Sequence, residues 1–344
     1  MHDADPQLPG ALMAAEIAEQ PDILAGLLAA RDELDEAARR IAGARPRFVL
    51  IAARGTSDHA ALYAKYLVEI RRGLPAGLAS PSAFTLYGAT PDLTDVLFLA
   101  ISQSGRSPDL VESMAVARAC GALTMAVTNT PDSPLALGAE ISIDVRAGVE
   151  RAVAATKTYT AELLALLVLL GGDGAAHEAA GLPEAAARTL AANGDERLAA
   201  VTAPFRYANR IVVSGRGYSY PTAREAALKL METSYVSAQA FSGADLLHGP
   251  LAMIDASVPV IAVTTPGRSG AAMRPVLDRL AEAGAEVLPV GPRRGLAVAA
   301  TGLPEHVVPI VEIMPLQLLA RQLAVERGLD PDAPRGLSKV THTR

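Results

Sequence analysis

Cysteine is nearly missing from this sequence: Cys120 is the single one in 344 residues. That excludes a disulfide framework and any cysteine-built metal cluster, and suits a reducing compartment. Long apolar runs are missing too. The longest, Leu163 to Leu170 within AELLALLVLLGG, is far short of the roughly 20 residues that cross a bilayer, and reads as a buried helix. The start, Met1-His2-Asp3-Ala4-Asp5, is acidic where an export signal is basic, so a cytoplasmic protein is expected. Positive charge is not in excess. A formal net charge of -6 argues against nucleic acid or an anionic membrane as partner and leaves any anionic ligand to a local site. Neither Arg54-Gly55-Thr56-Ser57 nor Arg216-Gly217-Tyr218-Ser219 carries the GxGxxG of a dinucleotide site, and the six histidines have no ligand spacing. No cofactor and no metal are expected.

Half of the residues are apolar and 20% are charged, a balance that folds, and the length exceeds what one core usually serves. Leu12, Ile17, Ile23, Leu27, Leu34 and Ile41 have helical spacing, with Pro21 as a break; the spacing predicts two helices over residues 1–45. The run Phe48 to Ala53 then enters a helical stretch through Ile70. Similar runs at Val96 to Ile101, Leu123 to Thr128 and Ile141 to Val145 are separated by helix-length segments, the pattern of a mostly parallel sheet flanked by helices. A first domain over 46–172 follows. The stretch 173–203, rich in Ala, Gly and acids, is a helical connection with a helix after Pro183, leading to a second domain over 204–328 and a tail over 329–344.

The second half repeats the first. FVLIAARG at Phe48 aligns with RIVVSGRG at Arg210 (210 − 48 = 162), and LFLAISQSGRS at Leu97 with PVIAVTTPGRS at Pro259 (259 − 97 = 162). Recurrence of Arg-Gly and Gly-Arg-Ser at one unchanged offset marks a duplication.

The loop Ser102-Gln103-Ser104-Gly105-Arg106-Ser107-Pro108 follows a buried strand and opens a helix. Hydroxyls and helical N–H groups converge there, which suits an anion; helix capping by a serine is the plainer use of one such hydroxyl. In the repeat, Thr264-Thr265-Pro266-Gly267-Arg268-Ser269 lacks the glutamine and has proline in place of Ser104, so the phosphate site is expected in the first copy only. In the second half, Lys229 and Glu232 lie three apart on one helix face, as in a simple ion pair. The stretch leads to Asp245-Leu246-Leu247-His248-Gly249-Pro250, a loop with one histidine. Pattern alone does not say whether these residues act together.

With RGTS at Arg54, SQSGRS at Ser102, AATKTY at Ala154, EAALKLMETSY around Lys229, LLHGPL at Leu246 and APRGLSKVT at Ala333, the chain resembles the sugar isomerase (SIS) domain family. Within it, the chain is similar to the isomerase half of glucosamine-6-phosphate synthases and to the glucosamine-6-phosphate deaminases. The resemblance implies two tandem α/β SIS domains, each three-layered and flavodoxin-like. It implies that Ser102, Gln103, Ser104 and Ser107 bind the sugar phosphate, and that Ser57, Val153 and the backbone at Ser338 touch the sugar. Glu232 would move a proton between C1 and C2 with support from Lys229, while His248 and Lys339 assist ring opening. It also implies a homodimer with shared sites, His248 serving the neighbour.

The synthases carry an N-terminal glutaminase domain, whereas this sequence starts at its SIS region, so glutamine-independent chemistry is expected. Arg106-Ser107 after SQSG, where synthases usually have Glu-Thr, looks more like the deaminase branch. The expected reaction converts glucosamine 6-phosphate to fructose 6-phosphate and ammonia. A fructosamine-phosphate deglycase, a galactosamine-6-phosphate deaminase and a non-catalytic sugar-phosphate sensor are the competing readings.

Overall fold

The computed structural model describes residues 8–292 and 294–339; the acidic start and residues 340–344 of the tail lie outside them. The chain forms two compact units. One comprises Asp22–Val149 and Lys157–Ala180; the other comprises the chain up to Pro21, Glu150–Thr156 and Gly181–Lys339.

The first unit is built on five parallel strands, β1 (Phe48–Ala52), β2 (Ala76–Leu78), β3 (Val96–Ile101), β4 (Leu123–Thr128) and β5 (Ile141–Asp144), in the order β2-β1-β3-β4-β5. Strand residues alternate between faces. Phe98, Ala100 and Ala126 pack in one core with Leu110 and Met114 of helix Pro108–Ala119, while Leu97, Leu99 and Ile101 point the other way and are equally buried. The helices Thr56–Leu67 and Lys157–Leu170 pack together in this unit, and all fourteen residues of the latter are buried. Burial on both faces is why these strands read as unbroken apolar runs. Truncating Phe98 to alanine would cost about 3–5 kcal/mol.

The second unit repeats the plan with β6 (Arg210–Gly215), β7 (Ser237–Ser242), β8 (Val260–Val263), β9 (Val287–Gly291) and β10 (Leu296–Ala297), parallel and ordered β10-β9-β8-β6-β7. Read from the other edge, this is the first sheet's order, the flavodoxin-like 2-1-3-4-5. In such sheets the strand order reverses beside the first strand, and ligands bind at the carboxyl ends there. The loops after β1 and β3, and after β6 and β8, occupy that place.

Several local expectations change. The N-terminal stretch forms three helices, Ala11–Ala18, Gln20–Ala29 and Asp32–Ala44. Pro21 lies in the first turn of the second, where its missing N–H costs nothing. The helix after β1 ends at Leu67 and continues as a π-helical turn through Arg72. β2 is three residues long, too short for periodicity to reveal. β7 is polar because it lies at a sheet edge. The connection carries three helices, Ala175–Glu178, Leu182–Ala191 and Asp195–Thr202, with Pro183 inside the first turn of the middle one. Among the described residues no helix is long and apolar enough to cross a membrane.

Candidate functional site

The loop after β3 is pinned from below. The Gln103 carbonyl accepts from the Asn129 amide at 3.1 Å and from the Thr128 and Thr130 hydroxyls at 3.2 and 3.3 Å. Gly105 has φ +58°, and a Cβ there would come within 2.0 Å of Ser133 Oγ, so only glycine lets the loop turn this closely. The Ser102 hydroxyl accepts from the Gly105 amide at 3.2 Å, and the Ser104 hydroxyl from the Arg106 amide at 3.3 Å. Ser107 stands at the N-cap of helix Pro108–Ala119, yet its side chain takes no helix N–H. Its hydroxyl is therefore not a cap, unlike Ser133, which accepts from Ala136 N at the next helix. Ser57, in the first turn after β1, is buried and donates to Glu162 Oε1 at 2.9 Å.

In the second unit the corresponding loop meets a carboxylate of its own chain. The Ser269 amide donates to Glu305 Oε1 at 2.6 Å, and a Cβ on Gly267 would meet Glu305 Cδ at 2.6 Å. Burial raises the Glu305 pKa, but the hydroxyl and amide of Ser269 and the Arg268 amide outweigh it and hold the carboxyl below the usual value. Ser219, 162 residues after Ser57 (219 − 57 = 162), donates to Glu312 at 2.9 Å, as do Thr222 at 3.0 Å and the Thr265 hydroxyl. Glu312 is buried, and burial keeps its carboxyl above the ordinary range despite the three hydroxyls.

Helix Tyr220–Ser234 carries the second constellation. Lys229 is wholly buried, 2.5 Å from Glu232 and 3.4 Å from Glu225. Burial alone would push its ammonium down, but the carboxylates of Glu225 and Glu232 outweigh burial and hold it above the usual lysine value. Lys229 is thus a fixed cation. Glu232, with 22% of its side chain exposed, is the member of the group that reaches solvent. The tail folds back in the same unit: Lys339 Nζ donates to Glu150 Oε2 at 2.9 Å and to the Ala152 carbonyl at 2.6 Å. Glu150 also acts electrostatically on Lys229, so Lys229, Glu232 and Lys339 share one charged neighbourhood. Val153, beside Ala152, donates its N–H to the Asp332 carbonyl at 3.4 Å, and Ser338 is exposed next to Lys339. His248 is exposed, its Nδ1 2.8 Å from the Ala244 carbonyl. It is bonded within its own helical turn rather than to Lys229, Glu232 or Lys339.

Sequence reasoning passed over Glu225, although its position four before Lys229 on the same helix face was a usable signal. Glu150 gave none: one acid in an irregular loop looks solvated. Glu16 was marked by a stripe, Met13, Glu16, Ile17 and Gln20, whose i, i+3, i+4, i+7 spacing is that of a buried face carrying two polar residues. All four are buried. Among the described residues no group of three or more His, Cys, Asp or Glu could hold a metal ion.

A model of the SIS domain matches residues 44–171 and 205–327. A glutamine--fructose-6-phosphate aminotransferase [isomerizing] of Methanothermobacter thermautotrophicus is 36% identical over 341 residues, covering 95% of this chain and 56% of that protein. The chain thus spans little more than half of that relative. A candidate phosphosugar isomerase from Silicibacter pomeroyi DSS-3 superposes with TM-score 0.83 at 34% identity, over 93% of this chain and 99% of the other. The C-terminal domain of glucosamine-fructose-6-phosphate aminotransferase from Francisella tularensis gives TM-score 0.84 at 26% identity, over 97% and 100%.

Proposed function

This chain belongs to the SIS domain family, and from that we propose that it is a phosphosugar aldose–ketose enzyme that converts glucosamine 6-phosphate to fructose 6-phosphate and ammonia. The observation that carries the reading is the cluster on helix Tyr220–Ser234: a buried, permanently charged Lys229 that orients a partly exposed Glu232. A binding module has no use for that arrangement, whereas a proton shuttle needs a held carboxylate that can reach its substrate. The names of the similar proteins supply the sugar class, since they act on fructose 6-phosphate or on phosphosugars.

In this reading Ser102, Gln103, Ser104 and Ser107 take the phosphate, and Ser57, the Val153 backbone and the Ser338 backbone touch the sugar. His248 and Lys339 assist opening of the ring to the aldehyde. Glu232 removes the proton from C2 and returns it to C1 through an enolamine, leaving an imine at C2. Water adds to the imine; ammonia leaves and the ketone remains. Each step needs only proton movement and water. The enzyme is cytoplasmic and independent of glutamine, the latter supported by Arg106-Ser107 after the SQSG motif.

The test is ammonia release from glucosamine 6-phosphate, galactosamine 6-phosphate and a fructosamine 6-phosphate, with fructose 6-phosphate plus glutamine as the synthetic arm. Release from glucosamine 6-phosphate alone supports the assignment. Activity confined to the fructosamine phosphate makes the protein a deglycase, and tight binding without turnover of any sugar makes it a sensor. We also propose a homodimer in which His248 serves the Glu232 of a second copy, supported by the exposure of His248. Glu232→Gln and His248→Ala, each inactive, are unfolded together and refolded in equal amounts. Shared sites predict recovery of about a quarter of the activity, from one intact site in each mixed dimer. No recovery in mixed dimers confirmed by mass contradicts sharing.

A further inference from the structure

Segment Glu150–Thr156 has no helix or strand, yet much of it is buried, so its peptide groups need partners from elsewhere. Glu150 Oε1 accepts from the Thr156 amide at 2.8 Å, and Gln317 Nε2 donates to the Thr156 carbonyl at 3.2 Å. The Val153 N–H goes to the Asp332 carbonyl and Lys339 holds Glu150 and Ala152, while the Arg151 and Ala152 amides are held by the first described helix. Glu16, 4% exposed, accepts from the amides of both Arg151 and Ala152, while Met13 and Ile17 beside it pack against Ala152. Ala152 is the hinge of the arrangement: its N–H goes to Glu16 and its carbonyl to Lys339 Nζ. Moving Glu16 would move both the Val153 backbone and the anchor of Lys339.

We propose that Glu16 is a positioning residue for the reaction, fixing segment Glu150–Thr156 through the Arg151 and Ala152 amides and thereby the Val153 backbone and Lys339. The proposal rests on the function argued above for Val153 and Lys339. A carboxylate is a costly group to bury. Burial pushes the Glu16 carboxyl above its ordinary value, partly offset by the two amides. What it provides that an apolar residue would not is two acceptors facing two adjacent N–H groups. A displacement of about 1 Å at a residue touching the reacting part of a substrate can cost 10²-fold in rate. The loop proposed above to hold the phosphate belongs to the other unit, so the phosphate's share of ground-state binding is expected to be spared.

The test uses Glu16→Gln, which keeps the shape but offers one acceptor and turns an NH2 toward a donor, with Glu16→Asp as the variant that keeps a two-oxygen acceptor. Hydrogen exchange of the peptide spanning 150–156 reads the grip without any substrate: it should speed up at least tenfold in Glu16→Gln while the melting midpoint stays within a few degrees. On glucosamine 6-phosphate, or whichever sugar of the panel above is turned over, kcat should fall about 10- to 100-fold with KM changed less than threefold. Glu16→Asp should recover part of the rate, and it carries both measurements if Glu16→Gln does not fold. Unchanged exchange overturns the proposal; so does loosened exchange with normal kcat, or a fall of kcat in proportion to lost folded protein. If the wild type turns over no sugar of the panel, the functional reading has failed, and exchange alone decides whether Glu16 holds the segment.

Discussion

The loops after β3 and β8 occupy the same place in two sheets of the same topology, and the helices after β1 and β6 do likewise. Their side chains are complementary in what they lack. In the first copy the Ser102 and Ser104 hydroxyls accept from amides of their own loop, whereas in the second copy the Ser269 amide donates to Glu305. The helix after β6 carries Glu225, Lys229 and Glu232; 162 residues earlier stand Tyr63, Leu67 and Ile70 (225 − 162 = 63, 229 − 162 = 67, 232 − 162 = 70). In the function proposed above, the first copy supplies the anion donors and the second supplies the proton-moving Glu232, while the second copy's own loop is met by Glu305. A duplicated fold can divide a task by changing a few side chains while strand order stays fixed, because the core residues that set the order are not those that face the ligand.

The largest effect expected from breaking the proposed division is at Glu232. Glu232→Gln should lower kcat by about 10²- to 10⁴-fold with substrate still bound, whereas Ile70→Ala, its exposed counterpart, should leave steady-state rates within twofold. Next comes the loop proposed to hold the phosphate: Ser104→Ala should raise KM about tenfold with little change in kcat, as a contact made equally in ground and transition states does. A kcat effect alone would remove the loop from phosphate binding. Gly105→Ala, which must absorb both a positive φ and the approach to Ser133, should cost about 1–3 kcal/mol of stability, read as a lower melting midpoint.

The smallest effect concerns Glu305. Its carboxyl is held below the ordinary value of 4.5, so its contribution is fully present above that pH and is lost as pH falls through the folded-state value. Glu305→Gln should therefore be less stable than wild type by about 0.5–1 kcal/mol at neutral pH, and the gap should close on acidification. A gap that widens in acid would show that Glu305 does not act as the loop's anion.

Much of this contrast was legible in the sequence. The constant offset exposed the duplication, and Pro266 in place of Ser104 marked the second loop as altered, since both are local patterns. Glu305 was not legible as the residue that fills that loop: it lies 36 residues beyond Ser269 (305 − 269 = 36), and only tertiary folding brings it back. The same holds for Glu150 with Lys339 and for Glu16 with Arg151. Such pairings depend on chain paths that periodicity does not encode. β2 and β10 escaped for another reason, being three and two residues long. Ser107 shows the reverse case, a residue whose plain sequence reading as a cap gives way because its side chain takes no helix N–H.

The most direct test of the division is equilibrium binding of fructose 6-phosphate, titrated by calorimetry into wild type, Glu232→Gln and Ser104→Ala. If the first copy holds the phosphate and the second moves the proton, Kd for Glu232→Gln stays within about threefold of wild type while that for Ser104→Ala rises about tenfold. Affinity lost in Glu232→Gln and kept in Ser104→Ala would contradict the account.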